Sequence, residues 1–368
     1  MRIYIPDMDE FFAWMDKQDY RYVVLRGYLD FDKAYPAHGA KEDVDLLVED
    51  KALNDIREHY HMVRKRKGVK CDFYNVSGHF DGNYLDHAYY PVALSERILE
   101  NRQMWKQRFY VPDNETHLYS LIFHIAYQKA EASKIDIDDA QKSLQSKYCQ
   151  ELDGICSALS LKLDYTLNAF HQLLQDKGYS IEYMALVKYL QNDFARGRKG
   201  YFMASVCNQW PGELNMYVIR KIAVKQEMES KLLQALRDQY MIISVKDIPW
   251  VTRVSKSKHM RGGKWKRGGK PYIAVIVFDP CPQEPAPEDK KIHPFVFNSR
   301  QFMKRSLREW FAAETGVRIK DNPIHSTDNE AEAVGHFPLF FTVAEQQALF
   351  KKIDEKREQL LIAQEEAD

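Results

Sequence analysis

The feature that most limits what this chain can fold into is a change of hydrophobic period near its start. YRYVVLRGYL (20–29) alternates and runs into a glycine turn, and DVDLLVED (43–50) is a second short strand-like run. ALNDIREHYHMV (52–63) then switches to helical spacing, and VKCDFYNV (69–76) returns to strand character. Ahead of these, Met8, Phe11, Phe12 and Met15 recur at helical spacing. Period two marks strands and period 3.6 marks helices, so the order is strand, turn, strand, helix, strand.

From about Pro91 to Tyr240 helical periodicity prevails. ETHLYSLIFHIAYQKA sets Leu118, Leu121, Ile122 and Ile125 on one face, and a last helix is expected over 214–240, burying Val218, Ile222, Met228, Leu232 and Leu236. A third region follows: the strand-like MIISVKDIPWV, a basic glycine loop, the strand PYIAVIVFDP, the helix-like SRQFMKRSLREWFAAE and a last strand near HFPLFF. The expected organisation is a domain over 1–90, a helical domain over 91–210, an α/β domain over 211–350 and a charged tail over 351–368. A chain of 368 residues, 45% of them hydrophobic, can fill more than one core. Trp105, Trp210, Trp250 and Trp310 are expected to anchor those cores.

Net charge is zero, so bulk electrostatics select neither nucleic acid nor an anionic membrane. No leader and no apolar run of about 18 residues is found, which predicts a cytoplasmic protein without membrane insertion. Cys71, Cys149, Cys156, Cys207 and Cys281 form an odd, scattered set with no CxxC pair, fitting neither a disulfide framework nor a zinc site.

Asp43 and Asp45 stand two residues apart on a strand, so both carboxylates project from one sheet face. Hard Mg²⁺ (or Mn²⁺) requires oxygen ligands, and nucleotidyl transfer requires such an ion on the nucleotide phosphates. Asp72, on the third strand-like run, would add a further carboxylate as metal ligand and as base toward an acceptor hydroxyl. Gly27, after Arg26, lacks a Cβ and would let backbone amides approach phosphate oxygens. Leu25, Gly27, Asp43, Val44, Asp45, Leu46 and Asp72, within about residues 20 to 130, resemble the nucleotidyltransferase superfamily. Tyr28 stands where that family carries a small residue. The continuation from LDHAYY through HIAYQK is similar to uncharacterised bacterial nucleotidyltransferase-like proteins, some linked to surface polysaccharide synthesis.

Near the other end, NPIHSTDNEAEAVGHFPLFF resembles the active-site segment of nucleoside diphosphate kinases at Asn322, His325, Ser326, Thr327, Asp328, Glu330, Ala333, Phe340 and Phe341. The resemblance spans about residues 216 to 345. It implies that His325 accepts a phosphoryl group, that Asn322 contacts the nucleotide, and that Lys304, Arg305 or Arg308 meets phosphate. No Lys-Pro-Asp strand of that family is present, and His336 falls where its glutamate would orient the nucleophile.

VSKSKHMRGGKWKRGGKPY carries Lys256, Lys258, Arg261, Lys264, Lys266, Arg267 and Lys270 with no acid and one aromatic, Trp265. Lys264 and Arg267 could wrap a polyphosphate, and the loop could track a nucleic-acid backbone with Trp265 stacked on a base. Together these readings predict an α+β chain: a small mixed-sheet nucleotidyltransferase-like domain, a helical middle and a ferredoxin-like, nucleoside diphosphate kinase-like end. The expected function is Mg²⁺-dependent transfer from a nucleoside triphosphate to a hydroxyl or phosphate acceptor. Phosphoryl transfer through His325, or non-catalytic nucleotide or RNA binding, are the alternatives.

Overall fold

Asp7 starts the first helix by accepting the backbone N–H groups of Asp9 and Glu10 at 2.9 and 3.1 Å, which contributes about 1 kcal/mol to such an end. That helix, α1 (Met8–Lys17), buries Met8, Phe11, Phe12 and Met15, the stripe its spacing predicts. The protein is described by a computed structural model covering residues 1–28, 31, 43–60, 68–255, 260, 265 and 267–366. It divides into two compact units, Met1–Tyr189 and Leu190–Asp368.

In the first unit, β1 (Arg2–Ile5), β2 (Tyr22–Val24), β3 (Val44–Val48) and β4 (Val69–Asn75) form a sheet of order β1-β4-β3-β2. Strands β3 and β4 run parallel, which requires a crossover, and α2 (Asp50–Tyr60) lies between them in sequence. The outer pairs are antiparallel. Val44, Leu46, Val48, Val69, Cys71 and Phe73 turn to one face and pack with Phe11, Phe12, Leu53 and Ile56. The helical part comprises α3 (Val92–Glu100), α4 (Asn114–Phe123), α5 (Cys149–Ala158) and α6 (Leu167–Asp176), after a hairpin of β5 (Gln103–Trp105) and β6 (Phe109–Val111). Helix α4 is buried on every side from Thr116 to Phe123, wider than the single stripe expected, because α3, α5 and α6 all pack against it.

The second unit begins within α7 (Tyr183–Ala195) and continues through α8 (Tyr201–Cys207) to β7 (Glu213–Arg220), α9 (Glu229–Arg237), β8 (Met241–Asp247) and β9 (Pro271–Asp279). It closes with α10 (Met303–Thr315), β10 (Ile324–Ser326), α11 (Glu330–Phe340) and α12 (Val343–Glu365). The sheet order is β10-β7-β9-β8, every pair antiparallel. Leu232, Leu236, Leu307 and Phe311 from α9 and α10 cover Tyr217, Ile219, Val275 and Val277, while α11 packs against β7.

Three sequence readings are corrected here. The segment expected as one helix over 214–240 is β7, a short helical turn at Lys221–Lys225 and then α9, although Val218, Met228, Leu232 and Leu236 are buried as expected. HFPLFF ends helix α11 instead of forming a strand, and the last strand is β10. Trp250 anchors no core, being 72% exposed. All five cysteines are free, and among the described residues no helix is long and apolar enough to cross a membrane.

Candidate functional site

Alternation along β3 and β4 sorts the acids from the core. Asp43 and Asp45 leave the face that Val44 and Leu46 enter, and Lys70 and Asp72 leave the face that Val69, Cys71 and Phe73 enter. The parallel register sets Asp45 directly beside Asp72. All three carboxylates therefore share one face. Each is engaged by a different cation: Lys70 holds Asp43, Arg26 Nη2 meets Asp45 at 2.5 Å, and Arg2 makes a two-point contact with Asp72 at 2.6 and 2.7 Å.

Arg26 is the best held of these cations. It also donates to the Tyr89 and Tyr90 hydroxyls at 2.8 and 3.3 Å, and its side chain is 15% exposed. Burial opposes its charge, but Tyr89, Asp45 and Tyr90 outweigh that and keep it protonated. Beside it, burial together with Asp45 and Asp72 pushes the Tyr74 hydroxyl up. Gly27 adopts φ 74°, the left-handed region that a side chain resists, so the turn after β2 does require glycine. Tyr28 turns inward, 6% exposed, with its hydroxyl 2.7 Å from His117 Nδ1, leaving Gly27 as the open part of that turn.

Three carboxylates on one face are the donor set a hard divalent ion needs. As they stand they are turned onto their cations, and among the described residues no three His, Cys, Asp or Glu side chains converge into a metal-holding group.

The second cluster lies where β10 pairs with β7, His325 opposite Val218. The Nε2 atom of His325 is shielded and has no hydrogen-bond partner. Burial, then Arg220, His336, Lys304 and Arg308, push its imidazole down to about 3, so it is neutral at physiological pH. Sequence reasoning missed Arg220. It ends β7, is 3% exposed, and stacks 4.8 Å from the Trp265 ring centroid while Nη1 donates to the Arg267 carbonyl at 2.7 Å. Burial and Arg308 lower its guanidinium to about 10. Arg308 donates to Asn322 Oδ1 at 2.8 Å, Lys304 pairs with Asp328 at 3.1 Å, and Arg305 reaches His293 instead. Asn322 is thus engaged by Arg308, and Arg305 stands apart from the group.

Part of the basic glycine loop packs here. The carbonyls of Gly268 and Lys270 accept the Ile222 and Lys221 N–H groups, both at 2.9 Å, and a Cβ on Gly268 would sit 1.9 Å from the Asn322 carbonyl oxygen. Lys256, Lys258, Arg261, Lys264 and Lys266 lie outside the described residues.

Two buried groups give the second unit opposed pH responses. An imidazole held near 3 when folded and near 6.5 when unfolded makes the unfolded chain bind the extra proton, so its contribution is full above 6.5 and is lost toward 3. Glu213, 1% exposed and raised to about 8 by burial, does the reverse: the folded chain holds its proton, and stability is lost from about 4.5 to 8. Urea unfolding across this range is expected to show His325→Asn gaining on wild type by up to roughly 1.4 kcal/mol per pH unit as pH falls below 6.5. Glu213→Gln should gain as pH rises above 4.5; parallel curves for wild type and either variant would refute the assignment for that residue.

No protein-family model matches the chain, and no curated protein matches it. Among solved structures, it is similar to a nucleoside diphosphate kinase from Aquifex aeolicus at 15% identity and TM-score 0.24, over 36% of this chain and 98% of that one. It is also similar to the nucleoside diphosphate kinase of Borrelia burgdorferi, solved with vanadate and ADP, at 13% identity and TM-score 0.21, over 37% and 90%. A likeness this slight does not establish the fold or the chemistry of this chain.

Proposed function

We propose that the chain is a Mg²⁺-dependent nucleotidyltransferase acting through the acidic face of its first unit. The observation that carries this reading is the register that sets Asp45 beside Asp72 with Asp43 on the same face. Asp43 and Asp45, with Asp72 next to them, would hold Mg²⁺, which when bound neutralises phosphate charge and polarises the reacting phosphoryl group. Arg26 and the amides around Gly27 meet the phosphates of a nucleoside triphosphate. Asp72 takes the proton of an acceptor hydroxyl, whose oxygen bonds to the α-phosphorus as the α–β bridging P–O bond breaks and its electron pair leaves with pyrophosphate. To hold the ion the carboxylates would have to be released by their present cations, and Arg2, 56% exposed, and Lys70, 28% exposed, are less enclosed than Arg26 at 15%.

Calorimetric titration of ATP, CTP, GTP and UTP with Mg²⁺ into wild type and Asp43→Asn/Asp45→Asn tests this. Metal-dependent binding that vanishes in the double variant is expected; binding that persists unchanged would sink the acidic face as the nucleotide site.

A second reading has its own support in a neutral imidazole with an unpartnered Nε2 among Arg220, Lys304 and Arg308. In it the Nε2 lone pair attacks a γ-phosphorus, the β–γ bridging P–O bond breaks toward the diphosphate, and the phosphoryl group passes on to an acceptor oxygen. The β-α-β-β-α-β order and the antiparallel sheet support a ferredoxin-like assignment for this unit. Incubation with γ-labelled ATP should yield acid-labile, alkali-stable label that His325→Asn removes. Label that survives this substitution would eliminate His325 as the acceptor.

A further inference from the structure

A cavity of about 360 Å³ lies within the second unit, and neither His325 nor Arg220, Lys304 or Arg308 is in its lining. Its size falls in the range of small-molecule sites, about 300 to 1,000 Å³. Phe194, Met203, Ala204 and Phe295 make its walls, and Arg198 and Lys199 stand with them in its lining.

The walls are fixed by their own contacts. Phe194 meets the ring of buried His336 edge-on at 4.5 Å, and a Cβ on Gly335 would come within 3.0 Å of the Phe194 Cβ, so α11 presses directly on that side chain. Phe295 is held through its carbonyl, which accepts from Asn329 Nδ2 at 2.8 Å, and through its ring, edge-on to Tyr201 at 5.6 Å.

The polar groups of the lining differ in what they leave open. Asn329 and Glu332 are spent on the turn that begins α11: Asn329 Oδ1 accepts the Glu332 N–H at 2.9 Å and Glu332 Oε2 accepts the Asp328 N–H at 2.7 Å. The cations are placed by the end of α7. Gly197 takes φ +69°, its N–H bonds the Phe194 carbonyl at 2.9 Å and the Arg198 N–H bonds the Asp193 carbonyl at 2.8 Å, a closed helix end that fixes where residues 198 and 199 emerge. Arg198, 61% exposed, forms an ion pair at 3.8 Å with Asp193, which also lines the cavity, a contact too long to be a hydrogen bond. Lys199 Nζ sits 4.6 Å from the Phe295 ring centroid.

A ring-lined apolar cavity rewards a flat apolar body, and two exposed cations, one set over a wall ring, reward a negative charge on that body. We infer that this cavity binds a small planar aromatic molecule carrying one anionic group. Recognition divides between Phe194, Met203 and Phe295 for the ring and Arg198 and Lys199 for the charge.

The test uses the full chain and two probes, 2-naphthoate and the uncharged 2-naphthol, followed by calorimetry. Naphthoate is expected to saturate one site and to bind about tenfold more tightly than naphthol, the ratio that about 1.4 kcal/mol of charge recognition gives. Ala331→Trp, which fills the cavity from its half-buried rim, should abolish binding of both. Arg198→Glu/Lys199→Glu, at exposed positions that leave the core intact, should remove the preference for naphthoate and spare naphthol. Equal naphthoate affinity in wild type and the Ala331→Trp variant overturns the site, as does failure of wild type to saturate at millimolar probe. A preference that survives the charge reversal overturns the assignment of the two cations. None of these substitutions touches Asp43, Asp45, Asp72 or His325, so the outcome is independent of the nucleotide titration.

Discussion

Asp72→Asn is expected to lower nucleotidyl transfer by about a hundredfold to ten-thousandfold, the contribution of a positioned general base, while folding stays close to wild type. This substitution separates chemistry from structure better than one at Asp45. The Arg2 side chain that pairs with Asp72 is 56% exposed, and such a pair contributes only about 0–1 kcal/mol, so freeing Arg2 costs little. Asp45 faces Arg26, which is largely enclosed by Tyr89 and Tyr90. Neutralising Asp45 leaves that guanidinium without its carboxylate, and removing one partner of a buried pair costs about 3–5 kcal/mol at the extreme, so lost activity there would mix two causes. The measurement is pyrophosphate release with an acceptor that supports wild-type turnover, read beside the melting temperature. An Asp72→Asn enzyme within tenfold of wild type at unchanged melting temperature would remove Asp72 from the role of base.

How much of this site is legible in the sequence depends on how local each relation is. Strand alternation predicts a common face for Asp43 and Asp45; β3 begins only at Val44, and Asp43, just ahead of it, joins that face through its ion pair with Lys70. That Asp45 and Asp72 are register partners depends on the parallel pairing of β3 with β4, which no spacing encodes. The cations opposite the acids are less legible still. Arg2 reaches Asp72 only because β1 pairs antiparallel with β4, a relation across seventy residues of sequence that only the sheet creates. Arg26 was within view, because it precedes the glycine that ends the β2 turn.

In the second unit the misreading has one physical source. Strand β7 is buried at all eight positions, so the polar alternation that marks a half-covered strand is missing, and an unbroken apolar run fits a buried helix equally well. Taking it as helix also hid Arg220, which becomes significant only when it ends a strand beside β10. HFPLFF failed for the opposite reason. Its phenylalanines suggest an extended strand and Pro338 reads as a helix breaker, whereas the helix is set upstream, by the Asn329 cap and the acids of the first turn.

Arg357 is the least legible residue of all, since it lies in a run of charge that reads as a solvated tail. It is 5% exposed at its side chain, gives Nη2 to both oxygens of Glu330 at 2.7 and 2.8 Å, and gives Nε to the Pro211 carbonyl at 3.1 Å. Glu330, 1% exposed, also accepts the Leu214 N–H at 2.8 Å, so the pair ties α12, α11 and the start of β7 together. Arg357→Ala is expected to destabilise the second unit by about 3–5 kcal/mol, because it leaves a buried carboxylate without its counter-charge. Guanidinium denaturation should show the loss in the transition of that unit. The double variant Glu330→Gln/Arg357→Met provides the sign test. If the cost comes from the orphaned charge, removing both charges restores part of the stability lost in the single variant; if the pair contributes through its own attraction, the second substitution deepens the loss. A loss below about 1 kcal/mol in Arg357→Ala, the range of an exposed pair, would mean that water reaches Glu330 and that the three elements are not tied at this point.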